Sequence, residues 1–171
     1  EETFPPSGWT QTITNATDTW FHSDLASPLG VHSGNYASAI STSYSHQDEW
    51  LIAHDIAVTG PLQFWSYTYQ GSVHSDHYYV KVSPDDGVTW QILLDMSARP
   101  PYPGPSGYNQ WLEPYILDMS NFMGQLVDIA WQAVDGDGQG IWYPWSIDDC
   151  TIGSDKFNPE GGPEFLSGYD I

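Results

Sequence analysis

Two adjacent carboxylates, Asp148 and Asp149, sit inside the apolar run from Ile141 to Ile152. Side chains alternate along a strand, so the two must point to opposite faces, and one of them is expected at or near the core side. A carboxylate buried there has to be protonated, paired with a cation or bound to a metal. Lys81, Arg99 and Lys156 face 22 acidic residues across the whole chain, so cationic partners are scarce. Oxygen ligation of Ca²⁺ meets the same need. The alternative is an Asp at the strand end that accepts backbone N–H bonds.

A second constellation is aromatic. From Pro61 to Gln70 the chain alternates, with Leu62, Phe64, Ser66 and Thr68 on one face and Trp65, Tyr67 and Tyr69 on the other. Flat rings in a row match the faces of pyranoses, although such a row also fills the interior of a second sheet. Tyr102, Tyr108 and Trp111 lie on or beside a long Pro/Gly/Tyr loop over residues 99–110, a length that is often functional. These six rings are the candidate ligand contacts. His74 with His77, and Asp135 with Asp137, are weaker metal signals that solvated loops explain as well. Neither a Gly-x-Ser-x-Gly elbow nor a His-Glu-x-x-His helix motif occurs, so catalysis is not expected.

The elements that must position these residues read as strands. Residues 8–14 alternate, 35–42 form a small-residue strand, and 49–53 a short apolar one. His77 to Ser83 puts Tyr78, Val80 and Val82 inward, and Pro84-Asp85-Asp86-Gly87 turns the chain back into Val88 to Met96. Residues 112–118 and 126–134 complete the set before the run that ends at Ile152. No helical periodicity appears, and strands recur every 10 to 20 residues. The fold class is therefore all-β, an antiparallel two-sheet sandwich. Residues 154–171 differ in kind, being rich in Gly, Pro and acid, and read as an extended tail after a domain over 1–153.

Composition narrows the function. A formal charge of −19 excludes nucleic acid and anionic membrane surfaces as partners. No apolar run is long enough to span a bilayer, so no membrane insertion is expected. Cys150 is the only cysteine, which rules out an intrachain disulfide. The acidic, aromatic, Lys-poor composition suits a secreted or cell-surface protein. The opening at Glu1 without Met fits removal of a leader.

The chain resembles the extracellular jelly-roll modules known as cleaved-adhesin, choice-of-anchor J or MAM-like domains. The likeness is carried by Glu2-Thr3-Phe4…Pro6…Gly8-Trp9, His32-Ser33-Gly34, Asp48-Glu49-Trp50-Leu51-Ile52 and Leu62-Gln63-Phe64-Trp65. It continues through Val82-Ser83…Asp86-Gly87…Trp90, Leu117-Asp118-Met119-Ser120…Gly124-Gln125 and Trp145-Ser146-Ile147-Asp148-Asp149. The resemblance implies a secreted, non-catalytic module with structural Ca²⁺ that attaches a larger protein to extracellular glycans or proteins. It also implies that Glu2 joins Asp148 or Asp149 at the metal, with Asp18 a weaker candidate. Pro5 stands where relatives often carry another acid, and the cysteines of animal MAM domains are absent, which points to a microbial source. The rival expectation is a structural subunit that forms homo-oligomers by lending its tail as an added strand, anchored by Phe165, Leu166 and Tyr169.

Overall fold

The computed structural model of the chain describes residues 3–159. Alternating apolar and polar residues build twelve strands there: β1 (Trp9–Thr12), β2 (Trp20–Asp24), β3 (Tyr36–Ile40), β4 (Asp48–Ala57), β5 (Leu62–Tyr69), β6 (His77–Ser83), β7 (Gln91–Asp95), β8 (Tyr108–Gln110), β9 (Tyr115–Leu117), β10 (Leu126–Val134), β11 (Trp145–Ile152) and β12 (Asp155–Lys156). One 3-10 turn at Ser120–Phe122 is the only helical element among the described residues.

The strands form two antiparallel sheets. The five-stranded sheet runs β1-β4-β10-β6-β7. The seven-stranded sheet runs β2-β3-β11-β5, with β8 and β9 both pairing β5 and β12 pairing β11. Between them the tryptophans pack in pairs: Trp20 is tilted against Trp145 at 5.5 Å between ring centroids, and Trp9 is stacked on Trp131 at 5.6 Å. Phe64 meets Trp131 edge to face at 5.7 Å. Rings of this size bury the most apolar area per residue ordered, and each such side chain contributes roughly 1.5–3 kcal/mol.

The period-two pattern of β5 holds through its length. Leu62 and Phe64 enter the core, while Trp65, Tyr67 and Tyr69 stay half-buried on the outer side. Tyr78, Val80 and Val82 of β6 also point inward, as their alternation requires. The Asp-Gly turn joins β6 to β7 as expected, with Asp86 and Gly87 both at positive φ.

The strand around the two carboxylates departs from simple alternation. Ile147, Cys150 and Ile152 all lie in the core, although 147 and 150 have opposite parity. The pairing of β11 with β5 shifts between Asp148 and Thr151, and Asp149 takes φ +47°. This bulge absorbs one residue, so both apolar sets face inward and neither carboxylate does. Asp148 pairs with the outward Trp65, which places it on the outer face of the seven-stranded sheet. The expectation of a carboxylate on the core side is thereby corrected. The aspartate is buried all the same, because a loop covers it from outside.

The packing also runs past residue 153. Phe157 is 3 % exposed, stacks on Trp9 and lies against Trp131. Its backbone N–H donates to the Cys150 carbonyl, so β12 and Phe157 close one edge of the core. Phe165, Leu166 and Tyr169, and with them the added-strand reading, lie outside the described residues.

Candidate ligand-binding face

Asp148 has no exposed surface. Its Oδ2 accepts the backbone N–H of His32 at 2.8 Å and of Ser33 at 3.0 Å, and its Oδ1 accepts the Asp149 N–H at 2.7 Å. Burial raises the pKa of this carboxyl, the N–H donors oppose that rise, and the neighbouring Asp149 adds to it. The buried acid thus accepts three backbone N–H bonds from the middle of β11 rather than from a strand end. Asp149 is half-buried and holds Nδ1 of His32 at 2.6 Å. An ionised carboxylate only accepts, so Nδ1 carries the proton of that bond.

Those bonds fasten the segment before β3 across the sheet. They set the His32 ring flat on Trp65, with centroids 3.7 Å apart and planes 12° apart. From there a connected set of rings crosses the outer face. Trp111 lies 6.4 Å from His32 and 6.5 Å from Tyr67. Tyr67 lies 5.1 Å from Tyr108, which in turn meets Tyr69 at 5.4 Å and Tyr143 at 5.5 Å. Tyr69 is stacked on Tyr143 at 4.1 Å. Gly107 takes φ +72°, and a Cβ there would stand 2.7 Å from the Tyr69 ring, so only glycine fits that approach.

Five of the six expected ring contacts thus share one face: Trp65, Tyr67, Tyr69, Tyr108 and Trp111. They are not equally open. All five are half-buried; His32 covers a face of Trp65 and Tyr143 covers a face of Tyr69, whereas Tyr67 and Trp111 have no ring stacked flat on them. Tyr102 takes no part in these ring contacts. It stands beside Glu113, and desolvation first and the Glu113 charge second raise its phenol pKa. Burial, helped by the neighbouring tyrosines, pushes the Tyr108 phenol well up as well, so it stays protonated.

Trp111 is held with unusual firmness. Its N–H donates to the Ser66 carbonyl at 3.1 Å, and its indole Nε1–H donates to the Leu29 carbonyl at 2.9 Å. Its φ of +60° lies in the left-handed region, which an aromatic residue seldom occupies. Such a conformation costs on the order of 1–3 kcal/mol and persists where the surroundings enforce it.

The other expected metal ligands are placed apart from the Asp148–Asp149 pair. Asn15 Oδ1 accepts the N–H groups of Thr17 and Asp18, and the turn so formed aims Asp18 Oδ2 at the Ser43 hydroxyl, 2.6 Å away. Asp18 thereby ties two loops together. Among the described residues no three acidic, histidine or cysteine side chains are grouped to hold a metal ion. Glu2 lies outside the described residues. Asp135 is also no free loop carboxylate: its side chain is buried, and it accepts the Gln47 N–H and meets His46 Nδ1 at 2.9 Å.

Sequence reasoning missed His32 and Tyr143 as members of the face. Tyr143 lies in the aromatic run just before β11, and that run was the available signal. His32 had no signal of its own beyond the His-Ser-Gly segment.

Fold and face together define a jelly-roll β-sandwich that carries an aromatic platform on its larger sheet. The sequence matches no family model and no curated protein. Among solved structures it is similar to the K2 cleaved adhesin domain of Lys-gingipain, with TM-score 0.58 and 14% identity, over 88% of this chain and 90% of that one. The K1 cleaved adhesin domain of the same protein, from Porphyromonas gingivalis W83, gives TM-score 0.58 and 18% identity, over 85% and 89%. The carbohydrate-binding module TmCBM61, solved with β-1,4-galactotriose, gives TM-score 0.50 and 17% identity, over 84% and 86%. At these identities the likeness establishes the fold, which is that of the cleaved adhesin domains, as the resemblance in sequence implied.

Two outcomes test this account. Asp148→Ala leaves the His32, Ser33 and Asp149 N–H groups without their acceptor. It should lower stability by about 3 kcal/mol and abolish hydrogen-exchange protection at the His32 and Ser33 amides. Asp148→Asn keeps one acceptor oxygen and should cost about 1 kcal/mol; equal protection in wild type and the alanine variant would refute the anchoring role. At Trp111, Gly should give a more stable protein than Ala by about 1 kcal/mol, because only the Ala variant retains the left-handed strain. Denaturant melts that rank Ala above Gly would show that the backbone there is unstrained.

Proposed function

We propose that the chain is a non-catalytic recognition module of a secreted or cell-surface protein that binds glycans on the outer face of its seven-stranded sheet. The observation that carries this reading is the half-exposed Tyr67, flanked by Tyr108 at 5.1 Å and Trp111 at 6.5 Å on a rigid strand pair. Sugar rings present flat C–H faces that stack on such rings, while hydroxyls at their edges take hydrogen bonds from polar neighbours. The exposed Gln110 lies opposite Tyr67 in the β5–β8 pairing and supplies an amide on the same face. A fold shared with a module solved in complex with a galactotriose supports the reading. No described helix is long and apolar enough to cross a membrane.

Retention in affinity gels cast with a panel of polysaccharides tests the proposal. At least one polymer should retard the wild-type protein, and Tyr67→Ala or Trp111→Ala should weaken that binding by about 2 kcal/mol, roughly thirtyfold in Kd. A wild-type protein that migrates freely through every gel sinks the reading, and so does retention untouched by both substitutions.

Structural calcium remains part of the proposal and depends on Glu2. Asp148 and Asp149 bring two carboxylates together, met by the backbone N–H groups of His32, Ser33 and Asp149 and by the His32 ring, and a hard cation needs at least one further acidic ligand to complete the set. If Glu2 supplies it, calcium at a hundredfold excess over its Kd should stabilise the fold by about 2.7 kcal/mol. Glu2→Gln should remove that gain while leaving the chelated protein unchanged. Identical melting in millimolar calcium and in EDTA would dismiss the metal.

A further inference from the structure

We infer that the outer aromatic face selects uncharged glycans and rejects their acidic counterparts. The inference rests on the glycan-binding reading above and adds the charge class of the ligand. Proteins that hold uronates or sulfated sugars present Lys or Arg to the anion, since a desolvated carboxylate needs a charged donor or several hydrogen bonds. This chain has three such residues, and their positions are specific.

Lys81 belongs to the opposite sheet, where its ammonium lies 4.5 Å from the Trp50 ring and 4.8 Å from the Tyr79 ring. Arg99 is exposed, with its guanidinium 5.4 Å from the ring of Tyr115, a core residue outside the set of outer-face rings. Lys156 pairs with Thr151, which in turn pairs with Gln63. Gln63 precedes Tyr67 by four residues on β5, roughly 13 Å at the rise of a strand. Lys156 is also engaged in an interaction of its own.

Around the accessible rings the signs run the other way. The exposed Glu113 follows Trp111 by two residues and stands beside Tyr102. His32, the histidine of this face, already spends its Nδ1 on Asp149. The polar groups beside Tyr67 are neutral: the Gln110 amide and the phenols of Tyr67 and Tyr108, the latter kept protonated by burial. Such groups satisfy sugar hydroxyls in either direction and offer a carboxylate nothing it lacks in water. A polyanion approaching a chain of charge −19 also meets repulsion over the Debye length, about 8 Å at physiological salt.

The test compares each polymer with itself. Gels are cast with β-1,4-galactan, mixed-linkage β-glucan or mannan, each native and after oxidation of C6 to the uronate, which changes charge and little else. A native polymer should retard the full chain, and its oxidised form should bind at least about tenfold more weakly at low salt. The gap should narrow as salt is raised, and Tyr67→Ala should lose the retention. An oxidised polymer held as tightly as its native form overturns the inference and leaves the glycan reading standing. Failure of every polymer, native and oxidised, overturns the glycan reading and the inference with it.

Discussion

The buried carboxylate of Asp148 is the constraint from which the outer face follows. It has no exposed surface and no Lys or Arg partner, yet three backbone N–H groups converge on its two oxygens. Hydrogen bonds to a charged acceptor contribute more than neutral ones, about 1.5–3 kcal/mol each, and losing the acceptor exposes the full desolvation cost of the donors. The segment around His32 and Ser33 is thereby fixed across a sheet more than a hundred residues further along the chain. Once fixed, it lays the imidazole on Trp65 and brings the Leu29 carbonyl to the Trp111 indole. One anion on the scaffold thus sets the arrangement of rings at the surface.

The same economy recurs through the molecule. Five histidines place Nδ1 beside an aspartate: His32 with Asp149, His46 with Asp135, His54 with Asp128, His74 with Asp137 and His77 with Asp95. In a protein with so few lysines and arginines, imidazole and backbone N–H groups become the donors that acids find. The carboxylates that do this are structural. Asp128 accepts from the Asp55 N–H as well as meeting His54, and Asp135 gathers two loops at one end of the sandwich. Acid richness here reflects loop fastening as much as solubility.

How much was legible from sequence divides along physical lines. The alternation of β5 and β6, the Asp-Gly hairpin and the two-sheet class follow from period-two patterning, which local sequence carries directly. The bulge at Asp148–Asp149 does not, because its cause is tertiary: both Ile147 and Cys150 gain more by entering the core than the ladder loses at one residue. The three-residue β8 was hidden in a Pro/Gly/Tyr stretch, since its pairing with β5 rather than its composition makes it a strand. Likewise Phe157 reads as part of a tail, and only its contacts with Trp9 and Trp131 show that it belongs to the core. The direction of Asp18 was equally hidden, since it is set by the Asn15 turn and the Ser43 hydroxyl.

The aromatic face raises a last question of balance. Rings left half-exposed forgo part of the roughly 25 cal/mol per Å² that full burial would contribute. Trp111 adds the strain of a left-handed backbone to that loss. Neither cost is imposed by the core, whose tryptophan pairs are complete without Trp111 or Tyr67. A chain shaped for stability alone would put glycine at position 111 and small polar residues along the outer side of β5. That this one places large rings there, braces them with Gly107 and the Leu29 carbonyl, and roofs their ends with His32 and Tyr143 argues that the exposed centre is kept for a partner. The proposed sugar ring fits that centre, being flat enough to lie on Tyr67 and Trp111 and polar enough at its rim to meet Gln110.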